Sequence, residues 1–202
     1  MNKQLKARLL KQLHQWHWVS SAIALVGMLL FSITGITLNH AADIESSPKV
    51  TSAVLEVPMA LLDELPALQG KAPLPSALAE WLAQALDIGV GNALAEWSSD
   101  EIYLGLPRPG GDAWLSIDLD SGELEYENTS RGMISYLNDL HKGRNTGVVW
   151  FWFIDVFAVA SIVFSVTGLF LLQMHASRRP STWPLVGAGL VIPFLIAVLF
   201  IH

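Results

Sequence analysis

The stretch from His17 to His40 limits what this chain can be. Between the two histidines lie 21 uncharged residues, Trp18 to Leu38, and then Asn39. About 20 apolar residues are enough for one bilayer crossing, so the stretch reads as a membrane helix. At about 1.5 Å per residue the two histidines stand roughly 34 Å apart along the axis, one near each edge of a hydrocarbon core about 30 Å thick. A histidine at each rim of one crossing calls for a chemical reason.

The rest of the chain supports the membrane assignment. Of its 202 residues, 52% are hydrophobic and 15% charged, and the mean hydropathy is +0.43. That is too apolar, and too unevenly so, for an ordinary soluble domain. Cysteine is absent, which excludes disulfides, thiolate metal sites, iron–sulfur ligation and the covalent attachment of c-type haem. Any haem would be held by coordination alone. The first crossing is longer than a signal-peptide core and no small-x-small cleavage site follows it, so it reads as retained.

Taken in order, residues 1–15 form a basic flank with Lys3, Lys6, Arg8 and Lys11 and no acid. The positive-inside rule then makes the amino terminus cytoplasmic and residues 16–40 the first transmembrane helix. Residues 41–147 follow on the far side, periplasmic in a bacterial inner-membrane protein. They carry 17 of the 18 acids against six bases, Lys49, Lys71, Arg108, Arg131, Lys142 and Arg144. Such a balance suits a translocated domain and argues against nucleic acid as a partner. The second crossing spans 148–175, a cytoplasmic loop with Arg178-Arg179-Pro180 spans 176–182, and the third crossing spans 183–202. The carboxyl terminus and His202 are then periplasmic. Trp16, Trp18, Trp150, Trp152 and Trp183 lie near the expected interfaces, as an aromatic belt requires. Pro184 falls at a helix start, and Pro193 should kink the third helix.

Within 41–147 the segment from Pro48 to Pro75 reads as an irregular or partly helical lead-in. Pro75-Ser76 opens a helix that ends at Gly89. Ala93–Ser98 and Glu101–Leu106 are short strand candidates, Pro107 to Gly111 is a turn, and Ala113–Leu119 and Glu123–Glu127 form a hairpin across Asp120-Ser121-Gly122. Arg131 to Asn145 leads back to the membrane. The fold class is therefore membrane α-helical: three transmembrane helices, with a small periplasmic α+β domain of about one helix and three or four antiparallel strands between helices 1 and 2.

This topology sorts the histidines by depth. His14, His17 and His175 fall at the cytoplasmic rim, and His40, His141 and His202 at the periplasmic rim. Iron in b-type haem takes axial imidazoles from facing helices, with the porphyrin in apolar surroundings. Gly27, Ser32, Gly35, Ser161, Ser165 and Gly168 are small enough to let helices or a macrocycle approach closely. Against this stands the plainer reading, in which rim histidines sit between water and lipid as bystanders. Zinc or copper fits less well, because neither level has the i, i+4 or mixed carboxylate clustering of a dedicated metal site. His14 and His17 are three apart on one helix face, so one can ligate while the other contacts the rim or a propionate. Asp155, seven residues into the second span, is costly in lipid and reads as a proton or haem-edge partner or as a buried acceptor. No G-x-G-x-x-G fingerprint offers a nicotinamide or flavin site, so an electron donor must come from elsewhere.

The pattern Trp16-His17-Trp18, Thr34-Gly35, Leu38-Asn39-His40, Leu140-His141 and Thr167-Gly168-Leu169 with His175 and Arg178-Arg179 resembles the PepSY-associated transmembrane family. The Asp118 to Glu123 turn is similar to the closing hairpin of a PepSY domain. That family includes bacterial inner-membrane reductases of ferric siderophores that bind two haems through membrane histidines. The resemblance implies haem b, one or two per chain and bis-histidine, carried over onto His17, His40, His141 and His175. It implies electron transfer across the inner membrane, from an unidentified donor to a ferric siderophore or other iron chelate. His14-Gln15-Trp16 also matches the family's His-x-Trp start; the 17-residue spacing from His17 to Thr34 favours His17. Because this chain is shorter than larger members, its ligand set is completed in a homodimer or it holds fewer haems. The rival is a non-enzymatic, membrane-anchored PepSY module that binds a periplasmic partner. A metal permease component is a weaker third reading.

Overall fold

The computed structural model describes residues 3–44 and 47–201. In chain order the elements are α1 (Lys3–Asn39), β1 (Lys49–Glu56), α2 (Met59–Asp63), β2 (Gly70–Pro73), α3 (Ser76–Leu86), β3 (Leu94–Trp97), β4 (Glu101–Arg108), β5 (Gly111–Asp118), β6 (Glu123–Ser130), α4 (Gly132–Lys142), α5 (Gly147–His175) and α6 (Thr182–Phe200). A single 3-10 turn, Ala176–Arg178, follows α5. Three helical stretches, Gln4–Asn39, Gly147–Arg178 and Thr182–Phe200, are long and apolar enough to cross a membrane. The basic flank is helical, since α1 begins at Lys3 and runs through it without a break. His202 lies outside the described residues.

Contacts divide the chain into two compact units, Met1–Phe31 with Trp152–His202, and Ser32–Phe151. In the first, α1 packs on α5. Phe31 stacks on Phe157 with ring centroids 4.9 Å apart. Gly27 makes room for that Phe157 ring, which a Cβ at this position would overlap. Ala24 and Ser20 are buried, and the Ser20 hydroxyl donates to the Trp16 carbonyl at 2.7 Å, so it brings no unsatisfied polar atom inside.

In the second unit a six-stranded antiparallel sheet has the order β1-β6-β5-β4-β3-β2. Strand alternation decides its two faces. On β5, Ala113, Leu115 and Ile117 are buried, while Trp114 and Ser116 point the other way. Leu78 and Leu82 of α3 cover the inward face and join Trp97, Ile102, Leu104, Leu115, Ile117, Leu124 and Tyr126 in one core. Leu115 is fully buried in that core, so Leu115→Ala is expected to destabilise the sheet by about 2–5 kcal/mol, through lost burial plus a cavity. Urea unfolding of the full chain in detergent, followed by tryptophan fluorescence, checks this; an unchanged midpoint would contradict the packing. In the β5–β6 turn the Asp118 carboxylate accepts the Ser121 N–H at 2.7 Å and the Ser121 hydroxyl at 2.8 Å. The backbone bond from Ser121, and then its hydroxyl, hold the Asp118 carboxyl below the ordinary aspartate range.

The sheet is larger than the three or four strands expected. The lead-in from Pro48 to Pro75 contains β1, α2 and β2. β1 is an edge strand paired only with β6, Lys49 opposite Ser130 and Glu56 opposite Glu123. Local alternation cannot announce a partner that distant in sequence. β4 also continues through Pro107 and Arg108, where a turn was expected. Its pairing with β3 ends near Ile102 and Tyr103, so the missing proline N–H costs no ladder bond on that side. The segment leading back to the membrane contains α4.

Candidate functional site

Three histidines meet in the first unit. His14 and His17 lie one helical turn apart on α1, and His175 ends α5. His14 Nδ1 lies 2.9 Å from the Leu10 carbonyl, and His175 Nδ1 lies 2.8 Å from the Leu171 carbonyl. A carbonyl oxygen only accepts, so each neutral ring carries its proton on Nδ1 and its lone pair on Nε2. The two rings meet edge-on, with centroids 6.5 Å apart and planes at 88°. Two metal–nitrogen bonds of about 2 Å each, plus the half-width of each ring, would put the centroids about 6.3 Å apart. The spacing therefore fits one metal ion between two imidazoles.

His17, the ring favoured by sequence spacing, is occupied differently. Its Nδ1 lies 3.0 Å from the Thr167 hydroxyl and 3.2 Å from the Phe164 carbonyl, and the ring stacks on Phe164 at 4.6 Å. Thr167 donates its single proton to the Val163 carbonyl at 2.7 Å, so its oxygen accepts from His17. Gly168 lets the ring in: a Cβ there would stand 3.3 Å from His17 Cε1. The ring that meets His175 is thus His14, and His17 locks α1 onto the Thr167-Gly168 step. Thr167→Val removes that acceptor from a buried position and is expected to cost about 1–3 kcal/mol. A lower thermal midpoint in detergent checks it, and an unchanged one would contradict the lock.

Both sets of rings open onto one cavity of about 870 Å³ lined by His14, His17, His175, Phe164, Leu169 and Leu172, with Arg178 and Arg179 at its polar end. That volume is within the usual range for cofactor pockets, about 300–1,000 Å³. The two guanidinium groups have no carboxylate partner among the described residues, and the first unit has one acid in its sequence, Asp155. An apolar cavity lined by two guanidinium groups and three imidazoles offers donors that a flat dicarboxylate carrying a metal could use. Among the described residues no group of three or more His, Asp or Glu side chains could hold a metal ion by itself.

In the second unit His141 of α4 meets the other Thr-Gly step. Its Nδ1 lies 2.6 Å from the Thr34 hydroxyl, and Gly35 lies against the ring. One turn away Thr37 donates to Asn138 at 2.7 Å. His40 instead turns its Nδ1 to the Ile36 carbonyl at 3.0 Å and is exposed. His40 and His141 thus have different Nδ1 partners. α4 itself is fixed by Asp139, which is 3% exposed. Its carboxylate accepts the Gly110 N–H at 2.9 Å and two Arg144 N–H groups at 3.0 and 2.7 Å. Asp155 is exposed on α5 rather than a buried acceptor.

The model of the family described as "Putative PepSY_TM-like" matches residues 8–202. The chain belongs to the PepSY_TM-like family. No curated protein and no solved structure matches it. Family membership and the three apolar helices together make this PepSY_TM-like chain a membrane-anchored module, with its sheet inserted between the first and second candidate spans. Sequence reasoning did not find the hydroxyl partners of the two inner histidines. Their signal was the Thr-Gly pair repeated in α1 and α5, which carries the family resemblance and lets helices or a macrocycle approach closely but does not say what the threonine hydroxyls bond. It also missed Asp139 as the buried anchor of α4, since a single acid in a polar segment carries no mark of burial.

Proposed function

We propose that this PepSY_TM-like chain binds one b-type haem between His14 and His175 and is an electron-transfer protein of the bacterial inner membrane. The observation that carries the reading is the edge-on pair of rings at 6.5 Å, each with Nδ1 turned to its own helix. The carbonyls of Leu10 and Leu171 fix the tautomer, orient each ring and raise its basicity as a ligand. Arg178 and Arg179 would meet the two propionates, and Phe164, Leu169 and Leu172 would exclude water from the ring faces. When bound, the haem supplies a one-electron Fe(III)/Fe(II) couple. Lys6, Arg8, Lys11, Arg178 and Arg179 put the basic ends of α1 and α5 in the cytoplasm, and the acidic sheet domain in the periplasm.

The acceptor that suits such a protein is ferric iron in a siderophore or other iron chelate. Reduction weakens the hold of hard oxygen ligands, because Fe(II) carries less charge and is softer. The test uses haem-loaded full-length protein in liposomes, reduced with dithionite, freed of excess reductant and mixed without oxygen with a ferric trihydroxamate. Reoxidation of the α-band, with Fe(II) trapped by ferrozine in matching amount, is the expected result. A reduced spectrum that persists in the presence of the chelate would overturn the proposal and leave a tethered module.

A further inference from the structure

The first unit has a second cavity. It holds about 640 Å³ and is lined by Val166, Leu169, Phe170, Gln173 and Trp183, from α5 and α6. Leu169 lines both this cavity and the histidine cavity. Phe170 is 56% exposed and Trp183 is 47% exposed, so the cavity opens where α5 and α6 would meet lipid. It has one built polar feature. The Trp183 indole N–H donates to Gln173 Oε1 at 2.7 Å. An indole nitrogen only donates, which fixes the amide orientation and turns the Gln173 NH2 outward as a donor. That NH2 has no partner among the described residues.

We infer that this cavity takes a lipophilic hydroquinone, and that electrons enter the protein there. The inference rests on the haem reading above. A planar ring fits between Phe170 and Trp183, and the Gln173 amide can donate to its oxygen. The apolar tail remains in the bilayer. Trp183 is at the start of α6, the interfacial depth at which an amphipathic head group lies. The 202 residues carry no dinucleotide fingerprint, whereas a donor dissolved in the membrane needs none. In the reaction both hydroquinone O–H bonds break, giving the quinone, two protons and two electrons. The protons leave to water at the helix ends beyond Thr182. The two electrons would leave one at a time and end on two equivalents of a ferric chelate, each reduced to the ferrous state.

The test has two arms on the full chain in nanodiscs. In the first, a photoreactive azidoquinone labels the protein and the modified peptides are mapped, a readout that does not depend on haem. In the second, haem-loaded protein is mixed anaerobically with decyl-ubiquinol and α-band growth is timed. Label concentrated on 166–183 and displaced by unlabelled decyl-ubiquinone is expected. Haem reduction should slow about ten-fold in Gln173→Leu, as loss of one hydrogen bond predicts. Val166→Trp, which fills the cavity without touching the histidines, should slow it at least as much, while dithionite still reduces both variants fully. Label spread evenly over the lipid-facing helices, or reduction rates unchanged in both variants, would overturn the inference and leave only an acyl chain in the cavity. A chain that binds no haem but keeps the displaceable label would defeat the haem reading alone.

Discussion

His14→Ala and His175→Ala are each expected to abolish the Soret band of protein made with adequate haem, while His40→Ala and His141→Ala keep it. Loss of an axial ligand should weaken haem binding by more than the roughly 10- to 100-fold typical of losing an outer-shell partner. Both rings are exposed and bond only to carbonyls of their own helices, so truncation leaves no buried polar group behind. His17→Ala separates the two roles: it should lower thermal stability through Thr167 and Phe164 but leave a band. Absorbance spectra and pyridine haemochrome assays on equal amounts of folded protein read these outcomes. A His14→Ala protein with an unchanged spectrum would remove the ligand pair from the account.

The second large effect lies in the sheet. Gly110→Val is expected to destabilise the Ser32–Phe151 unit by about 2–5 kcal/mol, combining left-handed strain with overpacking. Gly110 has a φ of +71°, and a Cβ there would stand 2.7, 2.8 and 2.9 Å from Cβ, Cα and N of Tyr136. Most of that obstruction is backbone, so no side chain can swing away. Its N–H is also a partner of the buried Asp139 carboxylate. Chemical unfolding followed by circular dichroism measures the loss, and a variant as stable as the parent would contradict the close packing of the β4–β5 turn on α4.

Much of the membrane part could be read from residue order, because a long uncharged run such as Trp18 to Leu38 has few alternatives in physical terms. The α3 helix and the β5–β6 hairpin were similarly plain, since Pro75-Ser76 and Asp120-Ser121-Gly122 act locally. β1 was not, because its only partner, β6, is far along the chain and pairing energy at that range leaves no local trace. The site was legible as a set of histidines and not as pairs. His14 and His17 share a helix face, and spacing on one helix cannot say which ring meets α5. Gly168 decides it physically by admitting His17 to the Thr167 step, which leaves His14 to meet His175. His40 and His141 have different Nδ1 partners, the Ile36 carbonyl for one and the Thr34 hydroxyl for the other, which spacing along the chain does not announce.

The central claim is that one iron porphyrin is gripped by His14 and His175. Low-temperature electron paramagnetic resonance of the oxidised, haem-loaded full chain in detergent tests it most directly. With imidazole planes at 88°, the account predicts a strongly anisotropic low-spin signal from about one haem b per chain, lost in His14→Ala and in His175→Ala. A high-spin signal, or purified protein that takes up no haem, would contradict it.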